Sequence, residues 1–148
     1  MQSVAEIVEK ARIEGLVVPS FNVPYLPMIE SVVRAVNDTD CFALIATARL
    51  EWYKFEAQGL EAVMEEFSKW SRPCVRLHLD HVPVIDEDGQ DVDYLPLLEQ
   101  AVELGYDSIM VDASRLDLDG NIEATKKAVA TAHEAGVPCE AELGAVLG

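Results

Sequence analysis

Short apolar runs alternate with segments of helical periodicity along the chain, and this alternation limits the fold more than any other feature. The runs "LVVPSFNV" (16–23), "FALIATA" (42–48), "CVRLHLDH" (74–81), "SIMVDAS" (108–114) and the start of "PCEAELGAVLG" (138–148) read as strands. Between them, "LPMIESVVRAVNDT" (26–39), "GLEAVMEEFSKWS" (59–71), "YLPLLEQAVELG" (94–105) and "NIEATKKAVATAHEAG" (121–136) read as helices. In the first helix Met28, Ile29, Val32, Val33 and Val36 recur at the spacing of a face packed on a core. A further helix over about 3–14 opens the chain and stops at Gly15. Strands separated by single helices form βα units and a parallel sheet. At 148 residues, half of them hydrophobic, the chain is large enough for one domain with a real core. No shift in composition divides it, so a single domain over 1–148 is expected.

Side chains alternate along a strand. In strand three Val75, Leu77 and Leu79 share one face, and Arg76, His78 and Asp80 share the other. Strand four sets Met110 and Asp112 opposite Ile109 and Val111, and strand five sets Glu140 and Glu142 opposite Ala141 and Leu143. Each strand therefore has an apolar side for helices, and most have a polar side that becomes ionisable towards the C-terminal end. A (β/α)8 TIM barrel places its reactive groups at those ends. A doubly wound sheet would cover both faces with helices, a poor setting for Arg76, His78, Asp80, Glu140 and Glu142. The expected fold class is α/β of the (β/α)8 TIM-barrel type, with about the first five βα units present as a partial barrel.

Asp80, Asp112, Glu140 and Glu142 would converge on one small volume, where like charges need a counter-charge. Protonation, Arg76 or a divalent metal would relieve the repulsion. Imidazole is a good zinc ligand, and His81 qualifies if the strand ends at Asp80 and the chain turns there.

A net charge of −16 makes nucleic acid and anionic membrane surfaces poor partners. No apolar run is long enough for a membrane span. The charged, helical opening "MQSVAEIVEKARIEG" is unlike a signal peptide, and Cys41, Cys74 and Cys139 are far apart with no CxxC spacing, so a reduced, cytoplasmic setting is expected. "DEDGQDVD" (86–93) lacks the spacing of a calcium loop and reads as solvated. His133 sits in the last turn of its helix, where it suits the helix dipole.

The segments "FNVPYLPMIESVVRA", "LHLDH" and "SIMVDAS…NIEATKKAVATAHEAGVPCEAELG", in that order, resemble the class II, metal-dependent fructose-bisphosphate and tagatose-bisphosphate aldolases. The resemblance runs from about Val17 to Gly148. It implies a zinc-dependent barrel in which Asp80 is the catalytic acid/base, His81 a zinc ligand, and Asp112 and Glu142 the carboxylates of a second or alternative metal position. Asn22 matches a substrate-contacting asparagine. His78, Glu140 and Arg76 are expected as supporting groups. The implied reaction is retro-aldol cleavage of a phosphorylated ketose to dihydroxyacetone phosphate and an aldehyde, with Zn2+ or another divalent metal as cofactor.

Two departures accompany the resemblance. Family members are about twice as long, with further zinc histidines and phosphate-binding loops on later strands. After strand two, where the family commonly carries serine and glycine, this chain has "ATARLEWYKFEAQG". Trp52, Tyr53 and Phe55 there suit either sugar stacking or packing of the loop. The chain alone is expected to need a homo-oligomeric or complementing C-terminal partner. The alternative is an inactive half-barrel used for binding or assembly.

Overall fold

A computed structural model describes residues 2–70 and 74–145. The chain forms two compact units, Met1–His78 and Leu79–Gly148. The strands follow the order β1-β2-β3-β4-β5, each beside its neighbours in sequence. They are β1 (Ser20–Asn22), β2 (Ala43–Ala48), β3 (Val75–Pro83), β4 (Ser108–Asp112) and β5 (Cys139–Ala141). The expected end of the helix over 59–71 and the last residues of 138–148 lie outside the described residues.

The first unit opens with α1 (Val4–Glu14), held at its start by a capping box between Ser3 and Glu6. Gly15, in the left-handed region at φ 69°, closes it by donating to the Ala11 and Arg12 carbonyls. The apolar run of strand one spans 16–23, but only Ser20–Asn22 forms the strand. Leu16 donates its N–H to Ala11 at 2.8 Å to finish the helix end, and Pro19 has no N–H to give. The Pro19 carbonyl still accepts from Leu44 at 2.9 Å. The parallel register then runs Ser20 with Leu44, Phe21 with Ile45 and Asn22 with Ala46.

In this unit α2 (Met28–Asp38) buries Ile29, Val33 and Val36, and a later helix, Leu60–Ser68, buries Leu60, Val63 and Phe67. Between them the segment after β2 is a helix as well, α3 (Arg49–Lys54), which makes the later one α4. The α3 turn is short and holds because the buried Glu51 carboxylate accepts from the Ala48 N–H at 2.8 Å. Arg49 stacks on Tyr53 at 4.9 Å from the ring centroid. Trp52 is half-buried, whereas Tyr53 and Phe55 are exposed.

The second unit carries α5 (Tyr94–Leu104) and α6 (Leu118–Glu134). Its core gathers Leu98, Ala101, Tyr106, Ile109, Val111 and Ala128, all buried. Burying an aliphatic side chain of this size contributes about 2 kcal/mol. β4 and β5 pair in parallel with Ile109 beside Cys139, Met110 beside Glu140 and Val111 beside Ala141. α6 begins three residues before the expected Asn121, because Asp117 caps it by accepting from the Gly120 N–H at 2.8 Å. The apolar face expected for strand three is buried: Val75, Leu77 and Leu79 are each at most 1% exposed.

Candidate metal centre

Three strands present ionisable groups to one another in the second unit. Asp112 is the last residue of β4, and Glu142 follows the last residue of β5. His81 lies within β3, which continues to Pro83 instead of stopping at Asp80. The turn expected at that point is made inside the strand: His81 has φ 37°, in the left-handed region. Such a residue breaks the alternation of side chains and costs of order 1–3 kcal/mol for a residue with a Cβ.

The result is a compact cluster. His81 Nδ1 lies 3.5 Å from Asp112 Oδ2 and 3.5 Å from Glu142 Oε2. One ligand atom from each of the three residues falls within 4.8 Å of the others. Asp80 Oδ1 is 3.9 Å from His81 Nε2. The imidazole is about half exposed, while the three carboxylates are mostly shielded.

The set fits a divalent ion. Two ligand atoms about 2.1 Å from a tetrahedral ion lie roughly 3.4 Å apart, close to both imidazole–carboxylate distances. One imidazole with two carboxylates is a donor set that zinc accepts. A divalent cation would also offset the negative charge of the carboxylates gathered at His81.

The supporting bonds explain the aim of each carboxylate. Asp112 Oδ1 accepts from the Ser114 N–H at 3.0 Å and from the Ser114 hydroxyl at 2.5 Å. That leaves Oδ2 towards His81. The Glu142 carbonyl accepts from Asn121 Nδ2 at 2.8 Å. Neither Ser114 nor Asn121 stands out as a site residue in the sequence. The first has a legible signal, since Asp followed two residues later by Ser is a turn motif. The second reads as the start of a helix and gives none.

The remaining candidates have other surroundings. Glu140 is exposed on β5 beside Met110. Asn22, Arg76 and His78 belong to the first unit. Asn22 is exposed at the end of β1. His78 is buried. Arg76 is buried too, and donates to the Val75 carbonyl at 2.9 Å and the Gln2 carbonyl at 3.3 Å. Its guanidinium lies 5.9 Å from the centroid of the Phe42 ring.

Residues 2–148 match the family model described as "Fructose-bisphosphate aldolase class-II". The chain belongs to that family. Among relatives, it is 34% identical over 146 residues to a fructose-bisphosphate aldolase of Helicobacter pylori, covering 97% of this chain and 44% of that protein. A fructose-bisphosphate aldolase of Thermus caldophilus is 31% identical, with 97% and 43% covered. The crystal structure of the YdjI aldolase from Escherichia coli K12 superposes with a TM-score of 0.75 at 25% identity, covering 99% of this chain and 53% of that one. The fructose-bisphosphate aldolase of Campylobacter jejuni shares the fold, with a TM-score of 0.76 at 21% identity over 95% of this chain and 45% of that one. These aldolases place the chain in the α/β class of TIM-barrel type. The chain spans about half the length of the curated relatives it matches. Among the described residues, no helix is long and apolar enough to cross a membrane.

Proposed function

We propose that the chain supplies metal ligands and the acid/base carboxylate of a class II aldolase. The reaction is reversible cleavage of a phosphorylated ketose to dihydroxyacetone phosphate and an aldehyde. The convergence of His81, Asp112 and Glu142 within 4.8 Å, with Asp80 beside His81, carries this reading.

His81, Asp112 and Glu142 would hold the divalent ion, zinc by preference for this donor set. When bound, the ion supplies Lewis-acid polarisation of the substrate ketone. Asp80 performs the proton transfer. Its carboxylate takes the proton of the substrate hydroxyl as that carbon becomes the aldehyde and the carbon–carbon bond breaks. The bonding pair stays on the carbon beside the ketone, and that carbon takes up a proton from water to give dihydroxyacetone phosphate. In the condensation direction Asp80 returns the proton to the new hydroxyl. From the family resemblance, Asn22 is the candidate substrate contact and His78 and Glu140 are candidate supporting groups, whereas Arg76 is committed to the Val75 and Gln2 carbonyls.

The same reading assigns the chain a partner. β1 and β5 end the strand order, and their residues are mostly exposed. Open strand edges recruit further strands. A second copy or a companion chain fills that role. A cytoplasmic location fits the reading, with neither nucleic acid nor membrane as a partner.

The test is elemental analysis of the purified chain after gel filtration, followed by an aldolase assay with fructose 1,6-bisphosphate. About one zinc per chain is expected. Asp80→Asn should keep that zinc and lose activity by roughly 100-fold or more. A chain that takes up no zinc, or an Asp80→Asn variant as active as its parent, overturns the reading.

A further inference from the structure

Glu142 sits where the sheet no longer holds it. The parallel register between β4 and β5 ends at Val111 beside Ala141, and Glu142 is the next residue. Its carboxylate must nevertheless be placed within 3.5 Å of the His81 imidazole. A side chain can be placed no better than the backbone that carries it.

The backbone of Glu142 is tied to α6. Asn121, 5% exposed in the first turns of that helix, donates from Nδ2 to the Glu142 carbonyl at 2.8 Å. The other end of the amide is fixed as well, since Oδ1 accepts from the Thr125 hydroxyl at 3.2 Å. Thr125 stands one helical turn further on, so the helix itself sets which way the amide points. The helix start is in turn pinned, because the Asn121 N–H donates to the Asp117 carbonyl at 2.8 Å. A buried amide whose two ends both find partners meets the condition for burial without a desolvation penalty.

We infer that Asn121 is a positioning residue for this site: through the Glu142 carbonyl it fixes where the Glu142 carboxylate meets His81 and Asp112. It touches neither substrate nor ion. Thr125 orients it, which makes α6 part of the site's support. The consequence for metal affinity rests on the metal reading above; the consequence for the Glu142 backbone does not.

Asn121→Asp tests it. The side chain keeps its size and the bond from Thr125, but it sets an acceptor against the Glu142 carbonyl. Zinc affinity is measured by competition titration for the parent, Asn121→Asp, Glu142→Gln and the double variant, with thermal unfolding of each metal-free chain alongside. Asn121→Asp should weaken zinc binding roughly 10- to 100-fold, as loss of a group that orients a ligand does. In the Glu142→Gln background the same change should matter by no more than about twofold. An equal effect in both backgrounds, or none in either, overturns the inference, because a purely structural role would not act through Glu142. Should Asn121→Asp fail to fold, the neutral and shorter Asn121→Ser takes its place in the same cycle. Should the parent bind no zinc, the metal reading fails and 15N relaxation of the metal-free chains decides this one. Backbone order at Glu142 and Leu143 must fall in the variant; parent-like order overturns the inference.

Discussion

Asp80 and His81 are consecutive in β3, yet their side chains meet, with Asp80 Oδ1 3.9 Å from His81 Nε2. A regular strand sends consecutive side chains to opposite faces. The left-handed backbone at His81, φ 37°, removes that rule at one residue. It joins an acid/base candidate to a ligand candidate without a loop between them. The strand resumes through Val82, which is fully buried, so the irregularity is held from both sides.

If His81 is strained for the sake of the site, glycine there should relieve the strain and destroy the site. His81→Gly removes the Cβ that disfavours φ 37°. The metal-free variant is expected to gain about 1 kcal/mol in urea unfolding. It should also lose the rise in Tm that zinc gives the parent. A metal-free chain less stable than its parent would show that the imidazole contributes more to the fold than its backbone costs.

Ser114 holds one oxygen of Asp112 through two bonds and leaves the other for His81. Ser114→Ala removes the hydroxyl and keeps the backbone N–H bond. The carboxylate then rotates more freely. Zinc affinity should fall by roughly 10-fold, while unfolding shifts by about 1 kcal/mol or less, the net contribution of one partly exposed hydrogen bond. Isothermal titration with zinc and urea unfolding, run side by side, check both halves.

The strand–helix rhythm was legible because each element has its own period, and those periods survive without tertiary information. Asp80, Asp112 and Glu142 were legible for the same reason, since alternation puts all three on the ionisable face. The features that complete the site follow no period. His81 reaches the cluster through one backbone angle, which residue type alone does not announce. Asn121 looks like the start of a helix, because the signal that moves that start to Leu118 is the Asp117 cap. The α3 turn depends on Glu51 folding back onto Ala48, a local bond that competes unseen with the loop reading of a bulky, charged stretch. Strand one is shorter than its apolar run because the Leu16 N–H is committed to the end of α1 and Pro19 has no N–H to give.

Cys139 offers a pH test of the β5 environment. Burial pushes its thiol above the ordinary range; the Glu140 charge adds to this, and a hydrogen bond with the Val111 backbone works against it. The folded chain therefore holds the proton more tightly than the unfolded chain. Its stabilising share is complete below the ordinary thiol pKa and is lost as pH rises through the raised folded value. Alkylation at Cys139, followed by mass spectrometry from about pH 7 to about pH 10, should reach its midpoint above that of a small model thiol. A midpoint at or below the model thiol would mean that water reaches the sulfur freely.

Arg76 gives the sharpest stability prediction in the first unit. Its two terminal nitrogens serve different carbonyls, Val75 in β3 and Gln2 ahead of α1, and its guanidinium sits over Phe42. Arg76→Met keeps much of the apolar stem and strips the donors from two acceptors, one of them far away in sequence. The loss is expected at about 2–3 kcal/mol, read as a lower urea midpoint with an unchanged slope. Hydrogen exchange should quicken most in Val4–Glu14, because the Gln2 carbonyl is the tether that α1 loses. Arg76→Lys should recover only part of the loss, since a single ammonium cannot reproduce the planar fork that reaches both carbonyls and lies against an aromatic face. Full recovery by lysine would mean that charge alone, and not the fork, holds this corner together.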